Sequence, residues 1–308
     1  MAWLPIQDYG VIGDLHTVAL VGNNGSIDWW CYPHFDSPSI FAAILDDERG
    51  GRCQIEPTES CTHRQLYLPD TNVLVTRFLA SDGVGEVTDF MPIRDRAARE
   101  FDHKIVRRVD VVRGAMKFRF FCNPAFDYAR AAHNVEIFPG RGAVFTAGPR
   151  RMALATMLPL RHDESGGVVS ELAMHQGDSV WMELYELAPG QLPSPQRSDT
   201  LAAAQLNTVH YWRRWLSTGA YNGRWREMVN RAALCLKLMT FQPTGAIVAA
   251  PTMSLPEHIG GVRNWDYRYT WIRDASFTLY GLLRVGFSEE AEAFMGWLSG
   301  RLKEMGRT

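Results

Sequence analysis

From the N-terminus to about position 195, apolar and polar side chains alternate in short runs with a period of two. That is the pattern of half-buried strands. NVLVTRF at 72–78 is one such run and SVWMELY at 179–185 is another. Between them, Met116, Phe118 and Phe120 fall on one strand face. Turn signals separate the runs: Asn24 with Gly25, SDG at 81–83, and Gly166 with Gly167. No helical pattern intervenes, so 1–197 is expected to form an antiparallel β-sandwich.

The pattern then changes. A Pro, Gln and Ser stretch at 189–195 has the character of a linker. Beyond it, Ser198 or Asp199 is placed to cap a helix over 200–217, giving a connecting helix within 198–221. A second helical pattern spans 225–241, with Val229, Ala232, Ala233, Leu236 and Met239 on one face. Helical text resumes over 274–285, Gly286 stops it, and Ser288 can cap a last helix ending near Gly306. The section 222–308 thus holds only about three helices, whose apolar stripes need partners. The expectation is a helical array that is unfinished and exposes apolar faces.

Composition narrows the function. The 308 residues are 46% hydrophobic, enough for a large core and about two domains. A net charge of −2 offers no basic field for nucleic acid or an anionic membrane. The five cysteines form neither a CxxC pair nor a Cys/His cluster, which argues against a disulfide framework or structural zinc. No basic-then-apolar leader and no bilayer-length apolar run are present, so a soluble cytoplasmic protein is expected. P-loop, dinucleotide, HExxH and GxSxG signatures are absent, and no cofactor or metal is expected.

Candidate chemistry concentrates at 260–274, GGVRNWDYRYTWIRD, a loop leading into a helix. Its aromatic rings can wall a sugar pocket, while Arg273 and Asp274 offer fixed donors and acceptors for hydroxyls. The plainer alternative is an aromatic corner in which Arg273 pairs with a carboxylate and Asp274 caps a helix. The adjacent arginine favours the charged form of Asp274, which suits an acceptor better than a general acid. Glu257 lies in a loop with nothing apolar nearby to raise its pKa. A second dense patch, at 25–38, holds Asp28, His34 and Asp36, but their spacing matches no firm metal template. A strand over 27–32 entering a Pro-rich turn, with Asp36 bonding local backbone, is the preferred reading. The basic run HKIVRRV at 103–109 is expected to be the solvated face of a strand.

Several long motifs, in order along the chain, resemble one family. IQDYGVIGD at 6–14, GSIDW at 25–29, FDSP at 35–38, YLPDT at 67–71 and VTDFMP at 87–92 look like a trehalase-like N-terminal domain. GRWR at 223–226, PTGAIVAAP at 243–251 and NWDYRYTWIRD at 264–274 resemble the start of a glycoside hydrolase family 15 catalytic domain. The resemblance implies a β-sandwich over 1–197, a connecting helix over 198–221, and the first helices of an (α/α)6 barrel, truncated, over 222–308. It implies release of glucose from trehalose or α-glucan ends with inversion, by a carboxylic acid and a carboxylate base. Tyr267 and Trp271 would form the pocket wall, and Arg273 and Asp274 would hold glucose hydroxyls. The family's two catalytic glutamates have no counterpart found in 1–308. Three expectations follow: an N-terminal part with a missing C-terminal barrel segment, a non-catalytic sugar-binding or scaffold protein, or half of a split enzyme.

Overall fold

The structure, a computed structural model, describes residues 3–93, 103–254, 257–258 and 260–306. Fifteen strands among the described residues pair antiparallel in one branched sheet. One half contains β1 (Tyr9–Gly13), β2 (Val18–Gly22), β3 (Ser26–Cys31), β4 (Ser39–Phe41), β5 (Arg52–Pro57), β13 (Arg161–His162) and β14 (Val168–His175). The other contains β6 (Thr62–Tyr67), β7 (Leu74–Leu79), β8 (Gly83–Phe90), β10 (Asn134–Phe138), β11 (Gly142–Ala147), β12 (Arg150–Thr156) and β15 (Ser179–Glu186). Strand β9 (Lys104–Asn123) belongs to both. Its residues 104–110 pair with β15, and its residues 115–122 pair with β14. The strand passes between the halves at Gly114, whose φ of +69° suits glycine. A Cβ there would collide with the carbonyl oxygen of Asp82.

The two halves feed one core. Ile12, Ile27, Ile55 and Phe120 from the first half cluster with Phe78, Val87, Phe145 and Met152 from the second. Phe78 meets Phe118 edge to face at 6.2 Å, and the Tyr67 hydroxyl donates to the Val11 carbonyl at 3.0 Å. Met116, Phe118 and Phe120 are buried, as the alternation predicts.

The basic run is a strand but not a solvated face. Lys104 Nζ donates to Glu183 at 2.6 Å, with both side chains buried. Arg107 is 1% exposed. It forks onto Asp89 at 2.7 and 3.1 Å and donates to the carbonyls of Cys53 and Gly25. The reason is position: β9 has neighbours on both edges and an opposing layer across the core, so its cations must be paired inside. Alternation gives the period of a strand but not whether it is central.

After Glu186 the described residues form no further named strand, and helices follow: α2 (Ser198–Ser217), α3 (Arg226–Leu238), α4 (Ile272–Arg284) and α5 (Glu289–Met305). An earlier single turn, α1 (Phe126–Ala129), has left-handed Asp127 and Tyr128. Neither Ser198 nor Asp199 caps α2. Its N-cap is Arg197, and Asp199 pairs with that arginine at 2.8 Å. The buried stripe of α3 is also rotated from expectation, with Ala233, Leu234 and Leu238 inside and Ala232 exposed. Gly286, at φ +99°, ends the turn after α4, and Ser288 is the N-cap of α5 without a side-chain capping bond.

Helix α2 lies on the second half of the sheet, where Leu201 and Val209 meet Val73, Phe90 and Val106. A second cluster joins the β and helical parts: Leu15, Val18 and Phe35 pack with Trp212, Leu234, Leu238, Ala275 and Phe294. Arg231 stacks on Tyr67 at 3.9 Å and donates to the Thr71 carbonyl at 2.7 Å. No helix among the described residues is long and apolar enough to cross a membrane.

Candidate functional site

The aromatic loop at 260–274 is built on a short extended pairing. Ala249 and Ala250 donate to the carbonyls of Tyr269 and Tyr267, and Ser254 donates to that of Trp265. Chain 249–254 therefore runs beside 265–269. Trp29 Nε1 ties this layer to β3 by donating to the Pro251 carbonyl at 2.8 Å.

At its centre sits Arg268, 5% exposed. Its guanidinium engages Asp266 through both forks, the shortest bond being 2.7 Å. It also donates to the carbonyls of Ser37 at 2.9 Å and Phe35 at 3.4 Å, and meets Cys31 Sγ at 3.2 Å. Burial alone would favour a neutral Arg268, but the Asp266 bonds outweigh it and hold its pKa above the ordinary value. Burial likewise opposes charge on Asp266, yet the Arg268 bonds win and lower its pKa. Burial pushes the Cys31 thiol up to about 11. Sequence reasoning missed Arg268 as an anchor. The available signal was Asp266 and Arg268 two apart in an extended segment, which puts them on one face.

The four predicted residues lie on the outer side of this anchor. Tyr267 stacks on Trp271 with centroids 5.0 Å apart and planes at 28°. Trp265 meets Trp271 edge-on at 6.4 Å. Trp271 is the N-cap of α4, and its Nε1 donates to the Asp266 carbonyl at 3.2 Å. Arg273 pairs with Asp274 at 3.1 Å, in the first turn of α4. A carboxylate there is favoured by the positive end of the helix dipole. The plainer reading thus holds in part: Arg273 does have a carboxylate partner, but Asp274 makes no capping bond.

Trp265 and Tyr269 are about half exposed and Arg273 more so, which makes the group an open ledge. Two cavities lie elsewhere. One of about 500 Å³ is lined by His210, Trp215, Lys237 and Glu290, and one of about 390 Å³ by Arg213, Tyr221 and Asn230.

Glu257 is exposed and pairs with Arg263 at 3.3 Å, and the two residues before it lie outside the described residues. Each buried acid among the described residues has a committed partner. Asp14 meets His103, Asp28 meets Tyr9 and Ser26, Asp89 meets Arg107, Glu183 meets Lys104, and Glu290 meets Lys237. Their oxygens are thus engaged in structural hydrogen bonds and ion pairs.

The patch at 25–38 divides. Asp28 accepts from the Tyr9 and Ser26 hydroxyls, and His34 turns toward His16 and His103 at ring distances of 6.4 and 6.1 Å. Ser37, rather than Asp36, caps the turn by accepting from the His34 N–H at 3.1 Å.

The model of the trehalase-like N-terminal family matches residues 2–155, and that of glycosyl hydrolases family 15 matches 223–307. The chain belongs to glycoside hydrolase family 15, as its trehalase-like N-terminal region and the start of its catalytic region. A trehalase of Thermoplasma acidophilum is 37% identical over 282 residues, covering 90% of this chain and 47% of that protein. A trehalase of Mycolicibacterium smegmatis is 35% identical, covering 96% and 47%. The chain thus spans about half the length of the curated relatives it matches. Among solved structures, a putative kojibiose phosphorylase from human microbiome aligns with a TM-score of 0.48 at 6% identity, over 93% of this chain and 45% of that one.

Proposed function

We propose that this chain is the N-terminal part of an α-glucoside hydrolase acting on trehalose, and that its aromatic ledge holds the terminal glucose. The observation that carries this is the Tyr267–Trp271 stack beside the Arg273–Asp274 pair, braced from beneath by buried Arg268. In this reading the apolar sugar face lies on Tyr267 and Trp271. Asp274 accepts from two neighbouring hydroxyls while Arg273 donates to a third oxygen. The β part is the family's sandwich, α2 is the connecting helix, and α3 to α5 are the first helices of its (α/α)6 barrel. Hydrolysis with inversion needs an acid and a base separated by room for water. In this reading the acid and the base belong to later helices of the whole enzyme, which is supported by the chain covering about half of each trehalase relative.

The test is binding, read by quenching of tryptophan fluorescence with trehalose, maltose and glucose. Asp274→Asn is expected to weaken trehalose binding at least about tenfold, by loss of charge-assisted hydrogen bonds. Trp271→Ala is expected to weaken it by roughly three- to tenfold, the worth of one stacked ring. Unchanged affinity in both variants, with intact circular dichroism, would sink the assignment.

A further inference from the structure

A second group of chemically able side chains lies apart from the ledge. Asp14, His16 and His103 are all buried, and each presents a ligand atom within 4.8 Å of the others. His16 and His103 have ring centroids 4.6 Å apart. His34 stands beside this group on a separate turn, its ring centroid 6.4 Å from that of His16 and 6.1 Å from that of His103, and Phe241 lies edge-on to His16 and His34. Four separated points of the chain thus converge: the β1–β2 turn, the turn after β3, the residue before β9, and the loop after α3.

The hydrogen bonds have the form of a metal site's supporting shell. His103 Nδ1 lies 2.6 Å from Asp14 Oδ2, and His16 Nδ1 lies 3.1 Å from the Asp14 carbonyl. A metal-ligating histidine commonly gives its other ring N–H to a carboxylate or backbone carbonyl, which fixes tautomer and orientation. Asp14 is itself fixed, since Oδ1 accepts from the N–H groups of His16 and Thr17 at 3.0 Å. The buried Nδ1 of His34 has no hydrogen-bond partner. A buried polar atom in that state costs free energy unless something else supplies the bond. A surface cavity of about 360 Å³ is lined in part by Tyr32, His103 and Glu186 and so reaches one member of the group.

We propose that His16 and His103, supported by Asp14, form a binding site for a divalent transition cation of the zinc class, which the neighbouring His34 completes by closing onto the bound ion. Imidazole nitrogens select this class over magnesium or calcium, which need a cage of oxygens that one carboxylate cannot provide. The site has a structural consequence. The turn that carries His34 also supplies the Phe35 and Ser37 carbonyls to Arg268. A cation there would stiffen the seat of the aromatic ledge from the β side.

The experiment uses the full chain, stripped with a chelator and titrated with zinc by calorimetry, with cobalt as a spectroscopic probe. One zinc per chain is expected, with magnesium and calcium failing to compete. Cobalt should give the visible absorption of a low-coordinate nitrogen site. His16→Gln and His34→Gln, each checked for fold by circular dichroism, should weaken zinc roughly a hundredfold. His210→Gln, on exposed α2 surface, should leave it unchanged. Absence of stoichiometric zinc overturns the proposal and leaves the cluster as a buried hydrogen-bonded group. Equal retention by the folded His16→Gln/His34→Gln double variant overturns it as well, by placing the metal elsewhere.

Discussion

The β part and the helical part treat their large apolar side chains in opposite ways. Trp29, Trp30, Phe90, Phe118, Phe120 and Phe145 are at most 1% exposed. On α4, Phe277 is 72% and Tyr280 63% exposed, with Ile272 and Leu283 above half. The difference is one of cover. Each half of the sheet has the other half, or α2, across from it. Helix α4 buries Ala275 and Leu282 on its inner side and turns a second apolar face to water. In the β part the last polar groups are therefore enclosed and must pair with one another. Among the helices, buried Glu290 pairs with both Lys237 and Trp215.

The largest expected effect breaks the β side of this contrast. Arg107→Ala removes the partner of fully buried Asp89 and takes one donor each from the Cys53 and Gly25 carbonyls. The expected loss is about 3–5 kcal/mol, read by urea unfolding. Arg107→Met with Asp89→Leu should recover most of it, because removing both charges removes the uncompensated one. A single variant with wild-type stability would mean that the centre of β9 is wetter than its burial implies.

The next effect sharpens the helical side. Glu290, 3% exposed, accepts from Lys237 Nζ at 2.7 Å and from Trp215 Nε1 at 2.8 Å, linking α2, α3 and α5. Burial raises its pKa, but attraction to Lys237 and both hydrogen bonds outweigh that and lower it below 4.5. The folded pKa is depressed, so this stabilisation is fully present above the unfolded value and is lost as pH falls through the folded one. Glu290→Gln should cost about 2–3 kcal/mol at neutral pH. The gap between variant and wild type should close below pH 4.5. A gap that stays constant through that range would show that shape, not charge, makes the link.

Much of the fold was legible because period is a local property. The strand at 179–185, the alternation at Met116 to Phe120 and the stop at Gly286 all follow from neighbouring residues. What failed depends on distant partners. The burial of Lys104 and Arg107 follows from the central place of β9, and the rotated stripe of α3 follows from its packing on Leu15 and Trp212. The same division holds at the ledge. Its aromatic and charged residues are contiguous in sequence, so the patch announces itself. Arg268 acts by reaching residues 31 to 37, and the histidine group joins positions 16, 34 and 103, separations that no spacing rule encodes.

The smallest stability effect is the sharpest test of the comparison. If the outer face of α4 meets water in solution, Phe277→Gln and Tyr280→Gln should each change unfolding free energy by less than about 0.5 kcal/mol. Phe118→Ala in the sheet core should cost about 3–5 kcal/mol by leaving a cavity. The α4 variants should nonetheless reduce dye binding and self-association, because a contiguous exposed apolar face drives both. The decisive pairing is between the two readouts. Stability unchanged with self-association reduced fits an uncovered face. A cost above about 2 kcal/mol at Phe277, outside the range of an exposed site, would mean that α4 is covered in solution, and the contrast between the two parts would then fail at the residue where it is strongest.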